Sequence, residues 1–171
     1  VPIIILGSST SSAYIAAELG LPYSFATHFA PAMAEEALSI YRKHFKASKY
    51  LDKPYFILGI LAHGADTDEE AEKLYTIAQQ GSIRLLREEK GLYPLADEKF
   101  EENLNLSSAE KIFLKSRMGI NLMGSKETMT KIWKEVKAKF NPDEVIAVSY
   151  MPKLEELEKS YRILKEVVEN N

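Results

Sequence analysis

Apolar and polar positions fall along the chain in blocks that repeat one plan, a strand and then a helix. Val1-Pro2-Ile3-Ile4-Ile5-Leu6 is an unbroken apolar run, rich in β-branched side chains. Its lack of alternation predicts a strand buried on both faces, as in a parallel sheet. Pro2 lies near its start, where a strand tolerates proline. Gly7-Ser8-Ser9-Thr10-Ser11-Ser12 then turns the chain with five consecutive hydroxyls. A helix is predicted from Ala13 to about Leu19, with Gly20 where a C-terminal glycine belongs. Pro22 to Ala26 predicts a second, aromatic strand, and Thr27-His28-Phe29-Ala30-Pro31 the loop after it. Pro31 suits a first helical turn. The helix from about Ala32 to Lys46 carries Met33, Ala37, Ile40, Tyr41 and Phe45 near helical spacing.

A third unit opens at Pro54, with a strand over Tyr55 to Ala62 and a turn at His63-Gly64-Ala65-Asp66. Thr67 and Glu70 form a capping box before a helix that runs to about Glu88. Its acidic first turn suits the helix dipole. Residues 89–106 are polar and punctuated by Gly91 and Pro94. A connection of that length in a compact domain is functional or disordered. Ser107 and Glu110 form a second box, opening a helix to about Arg117, and Gly124-Ser125-Lys126-Glu127 starts another to about Phe140. The last unit is a strand from Glu144 to Ser149 and an amphipathic helix from about Leu154 to Val168. Leu157, Tyr161, Leu164 and Val168 are placed on its apolar face. Four strand–helix units, with two extra helices before the last strand, predict a single α/β domain over residues 1–171 with a parallel sheet. That is half of an eight-fold β/α barrel. On pattern alone, a small flavodoxin-like open sheet is the alternative.

Composition narrows the function more than the fold. Apolar residues make up 46% and charged residues 27%, as in a globular domain with a core. The net charge of −3 comes from 22 basic and 25 acidic side chains, well mixed. No basic stripe suits nucleic acid and no polybasic patch suits a membrane surface. There is no cysteine, which excludes disulfides, thiolate metal sites and cysteine nucleophiles and fits a reducing compartment. No apolar run approaches the roughly 20 residues of a spanning helix. A chain that opens at Val1 in a strand-like run, without methionine, is expected to be cut from a longer one.

The Gly7–Ser12 loop is the sharpest chemical candidate. It joins a strand to a helix start, where free N–H groups and the dipole favour an anion. The hydroxyls add donors without charge. An ordinary capped turn explains the same residues. His28 ends a strand on the side where parallel α/β folds carry their sites, and could act as acid, base or donor. It could equally close a turn. His63 holds the comparable place after the third strand, without neighbouring carboxylates in a ligand pattern, so no metal is expected. His44 reads as solvent-facing, and Met129 and Trp133 as core. No Gly-x-Ser-x-Gly elbow is present.

Several stretches together carry a family resemblance. Ile3 to Ser9, Ser12-Ala13, Ala16 to Ala26 and His28-Phe29-Ala30-Pro31 resemble the C-terminal half of the bacterial-luciferase-like flavin-dependent monooxygenases. Asp66-Thr67-Asp68-Glu69-Glu70-Ala71, Gly124-Ser125-Lys126-Glu127-Thr128 and Glu144 to Tyr150 are similar to later motifs of that group, in order. The resemblance implies strands five to eight of a TIM-type barrel. It implies reduced FMN and O2 acting on an aldehyde or other small organic substrate, in the cytoplasm, with a flavin reductase as a possible supplier. In the luciferases a Glu-Ser-x-x-Thr pattern after strand five helps hold the FMN phosphate. Those positions here read Ser8, Ser9 and Ser12, with Ser8 in place of the acid. His28 falls in the loop after strand six, where it could face the flavin ring or the substrate. Residues 89–106 resemble the lid after strand seven. The half that supplies much of the ring pocket, a catalytic histidine and basic phosphate contacts has no counterpart here. Two open strand edges are therefore expected to pair with a second copy or with the missing N-terminal half. The chain could be inactive alone, or persist as a non-catalytic dimerising or phosphate-binding module.

Overall fold

The structure is a computed structural model that describes residues 2–117 and 119–170. The elements are β1 (Ile5–Gly7), α1 (Thr10–Leu19), β2 (Tyr23–Ala26), α2 (Ala34–His44), β3 (Phe56–Gly64), α3 (Asp68–Leu86), α4 (Phe100–Asn103), α5 (Ser108–Arg117), β4 (Asn121–Gly124), α6 (Lys126–Phe140), β5 (Glu144–Val148) and α7 (Leu154–Glu169). All strand pairings are parallel. Ile57, Leu58 and Gly59 pair with both β2 and β5, so those two strands flank β3. Leu61 pairs with both Asn121 and Val148, which puts β4 on the β2 side, beyond the end of β2. Without that short extra strand the order is β1-β2-β3-β5, the order of the chain. Four sequential parallel strands form half a barrel; a doubly wound sheet would reverse its order at a switch point.

Register sorts the side chains onto two faces. Tyr23, Phe25, Phe56, Leu58, Ile60 and Ala62 pack with residues of α1, α2, α6 and α7 in one cluster. Met129 and Trp133 belong to it, both nearly inaccessible. Small residues let α1 lie close to the sheet: Ala13, Ala16 and Ala17 are its buried positions. Gly20 ends that helix at φ 60°, a left-handed conformation that glycine adopts without a Cβ penalty. The opposite face carries Leu6, Ser24, Ile57, Gly59 and Leu61, the side chains that would point inward in a closed barrel. Its centre is buried at Ser24 and Ile57, its outer strands expose Leu6 and Ile146, and toward the C-terminal end of β3 Tyr75 and Ala78 of α3 close over Leu61.

Several sequence expectations change. The opening run is not buried on both faces: Ile3, Ile4 and Leu6 are 54%, 46% and 69% exposed. Burial of such a strand needs a neighbour on each side, and among the described residues β1 has only β2. Val1 lies outside the described residues. His63 and Gly64 belong to β3 rather than to the turn. His44 is half-buried, its ring 5.2 Å from that of Tyr14. The inner face of α7 carries Ser160 and Val167 with Leu164, and Tyr161 is exposed. Ser160 is buried because its Oγ accepts from the Gly64 N–H at 3.0 Å. The capping box at Ser107 is reciprocal: Glu110 Oε2 accepts from Ser107 N at 2.8 Å, and Ser107 Oγ from Glu110 N at 3.3 Å. At Thr67 the box is offset, and Glu70 reaches the N–H of Asp66 instead.

Candidate functional site

The hydroxyl loop leaves the C-terminal end of β1 and opens α1. Ser9 is the N-cap, and its Oγ accepts from Ser12 N at 3.4 Å. Ser12 Oγ donates back to Ser9 O at 2.7 Å and lies 2.9 Å from the Tyr23 hydroxyl. Tyr23 in turn donates to Ser9 O at 3.2 Å. Two roles separate here. The proton of Ser12 is spent inside the loop, so this side chain shapes the turn. Ser9 uses a lone pair, which leaves its O–H able to donate outward. As the first helical positions, Thr10 and Ser11 have N–H groups without an acceptor inside the helix. Ser8 adds a half-exposed hydroxyl. The turn is tight as well as polar: a Cβ on Gly7 would sit 2.3 Å from the Cβ of Ser12. Gly7→Ala is therefore expected to displace Ser12 and cost about 1–3 kcal/mol, read as a lowered urea midpoint. An unchanged midpoint would show that the loop is not so constrained.

A second locus lies at the C-terminal end of the next strands. His28 follows β2 and lines a cavity of about 250 Å³, together with Leu61 of β3 and Tyr150 just after β5. Tyr93, from the 89–106 segment, completes its wall and stacks on Tyr150 at 5.6 Å and 18°. That segment is tied to α3: Gln80 Nε2 donates to Leu95 O, and Arg84 Nη1 to Leu92 O. Arg117, the last residue of α5, donates from Nη1 to the His28 carbonyl at 3.2 Å. His28 Nδ1 is buried without a hydrogen-bond partner. Burial lowers the His28 pKa, and the Arg117 charge lowers it further. The ring is thus neutral at neutral pH, a hydrogen-bonding edge and not a standing cation. The Ser8, Ser9 and Ser12 side chains do not line this cavity. They and His28 sit at the same end of adjacent strands, as two separate loci.

His63 stands fully buried in β3, with both ring nitrogens unpaired. It packs edge-on against Tyr75, ring centroids 5.4 Å apart. Desolvation pushes its pKa down to about 4. Among the described residues, no group of three or more histidines and carboxylates is arranged to hold a metal ion, and no helix is long and apolar enough to cross a membrane. Sequence reasoning missed Leu61, Tyr93, Arg117 and Tyr150 as wall residues. They come from four separate elements, and no local pattern links them.

Sequential parallel strands, with the hydroxyl loop and His28 at their C-terminal ends, define a barrel-type α/β chain, a class that carries its sites at that end. The luciferase-like monooxygenase model matches residues 1–139, and the chain belongs to that family. It is 40% identical over 169 residues to the uncharacterized protein YddN of Bacillus subtilis, covering 99% of this chain and 49% of that protein. To a luciferase-like monooxygenase of Escherichia coli it is 36% identical over 146 residues, 85% of this chain and 43% of the relative. Its fold is similar to the crystal structure of apo-MsnO8 at a TM-score of 0.85 and 27% identity, over 99% of this chain and 52% of that one. The chain thus spans about half the length of the relatives it matches.

Proposed function

We propose that the chain supplies the phosphate-side half of an FMN-dependent monooxygenase, in which reduced FMN and O2 act on an aldehyde or other small organic substrate. Family membership supports the class. The observation that carries the cofactor reading is the strand-to-helix loop after β1, which presents the Ser8 and Ser9 hydroxyls beside the open N–H groups of α1. An anion there gains from aligned donors and from the helix dipole. These residues fit a flavin phosphate. Ser8 and Ser9 with the Thr10 and Ser11 N–H groups would hold it, and Ser12 would fix the loop. The flavin supplies the oxygen chemistry when bound; the protein supplies position and exclusion of water.

The chain's own residues would do the following. His28, neutral and half-buried, offers a hydrogen-bonding edge to the ring or to the substrate. Tyr93, in the cavity wall and stacked on Tyr150, would let the 89–106 segment act as a lid. Turnover requires more wall than this chain has, so the active form pairs it with a second copy or with an N-terminal half. A flavin reductase would supply the reduced cofactor.

The test is an FMN titration of this chain and of Ser9→Ala and Ser12→Ala, followed by flavin fluorescence. Losing one charge-assisted hydrogen bond is worth about 1.5–3 kcal/mol. Ser9→Ala is thus expected to weaken binding roughly tenfold or more, and Ser12→Ala to weaken it through the loop. Unchanged affinity in both variants sinks the phosphate assignment. No FMN binding to the wild-type chain would favour a non-catalytic module.

A further inference from the structure

We propose that the cavity beside Arg117 takes an organic anion: a small apolar body carrying one carboxylate or sulfonate head, which the Arg117 guanidinium receives. Calling this anion the substrate rests on the monooxygenase reading above; the binding site itself does not.

Three observations carry it. The first is charge. Arg117 is the one charged side chain in the lining, and no acidic residue faces it there. None of the ion pairs among the described residues includes Arg117. Of five guanidinium N–H donors, the His28 carbonyl takes one. A guanidinium presents paired donors that match two oxygens of one head group.

The second observation is placement. The guanidinium carbon lies 4.7 Å from the Phe113 ring centroid and 5.8 Å from that of Phe29. Stacking on Phe113, one turn earlier on α5, would satisfy a purely structural arginine. Arg117 also reaches across to the His28 carbonyl in the loop after β2, and it lines the cavity. His28 lines the same wall, its Nδ1 buried and unpartnered.

The third is the rest of the wall. Leu61, Ala78 and Leu85 are aliphatic, and Phe29, Tyr93 and Tyr150 are aromatic. Such a surface favours an apolar body over a hydrated inorganic anion. At about 250 Å³ the space suits a small molecule.

Isothermal titration of this chain without flavin tests the proposal, with hexanoate, hexanesulfonate, 1-hexanol and inorganic phosphate as probes. Hexanoate or hexanesulfonate is expected to bind one per chain, with hexanol and phosphate at least about tenfold weaker. Arg117→Gln should weaken the anion by roughly ten- to a hundred-fold and leave hexanol unchanged. Arg117→Lys should recover part of the loss. Gly81→Leu keeps the arginine but fills the space, because a Cβ at Gly81 points at the Tyr93 hydroxyl from 3.5 Å. It should block every probe while far-UV circular dichroism stays as in wild type. The proposal is overturned if neither hexanoate nor hexanesulfonate binds, if hexanol or phosphate binds as tightly as the better of the two anions, or if Arg117→Gln binds that anion with equal affinity. FMN is titrated separately. Lost flavin binding with the anion preference intact removes only the monooxygenase reading, and the reverse removes only this one.

Discussion

Lowering the pH from about 7 to about 4 is expected to destabilise the chain by on the order of 3 kcal/mol, and His63→Leu should remove most of that loss. His63 is inaccessible in β3, both nitrogens lack partners, and its pKa is held down to about 4. Tyr75 is the titratable group packed on it, and its hydroxyl is engaged by Asn121. A histidine whose folded pKa lies below its unfolded value binds fewer protons when folded. Its full contribution is therefore present above about pH 6.5 and is lost as the pH falls toward about 4. Arg87 and Ser107 hold Glu110 at about 2, and the Ser125 N–H and Thr128 hydroxyl hold Asp68 down. Their losses begin as the pH falls toward about 5 and are common to both proteins, so they cancel in the comparison. His28 is shifted the same way and leaves a residual slope. Leucine also removes two unsatisfied nitrogens, so the variant should be no less stable than wild type at pH 7. Urea unfolding of both proteins at pH 7, 6, 5 and 4.5 reads the difference. Parallel pH profiles would refute the assignment.

The sequence made some parts of this molecule legible because one short stretch contained the whole cause. β3 is legible as a strand because Phe56 to Ala62 is a continuous apolar run in the chain itself, while His63 and Gly64 look like the turn that follows. Gly20 could be read as a helix end because the left-handed conformation is a property of one residue. The serine cluster could be read as a cap, and as an anion candidate, from the same local donors. Other features depend on what lies across space. β1 has the composition of a buried strand, but its burial depends on a neighbour that no residue of β1 encodes. β4 is four residues ending in glycine, with no alternation to show, and it exists because β3 outruns β2. In the sequence Arg117 only marks where a helix ends. Its meaning comes from His28, 89 residues away. The candidate cavity is tertiary in the same way, which is why only its histidine was found from the chain alone.

The same asymmetry between strand composition and strand surroundings leads to the second large effect: self-association through the sheet edges. Among the described residues β1 pairs only with β2, and β5 only with β3, so each presents an unpaired ladder. On the inward face, Leu6 is 69% and Ile146 is 45% exposed. Ser24 Oγ, on that face, is buried without a partner. Open parallel edges with apolar side chains are templates for further pairing. Four strands in chain order leave β1 and β5 as complementary outer edges. Two copies related by a two-fold axis would set each β5 beside the partner's β1 and close eight strands. Sedimentation at tens of micromolar should therefore show a dimer or larger species. Covering a side chain of this kind is worth about 1.5–3 kcal/mol. Two lysines per copy, Leu6→Lys with Ile146→Lys, should thus weaken association by at least about a hundred-fold. They should leave the fold intact, because lysine on an edge is tolerated and protective. A wild-type chain that stays monomeric would remove the edge argument. Association that survives both lysines would place the contact on another surface, with the outer helices next in line.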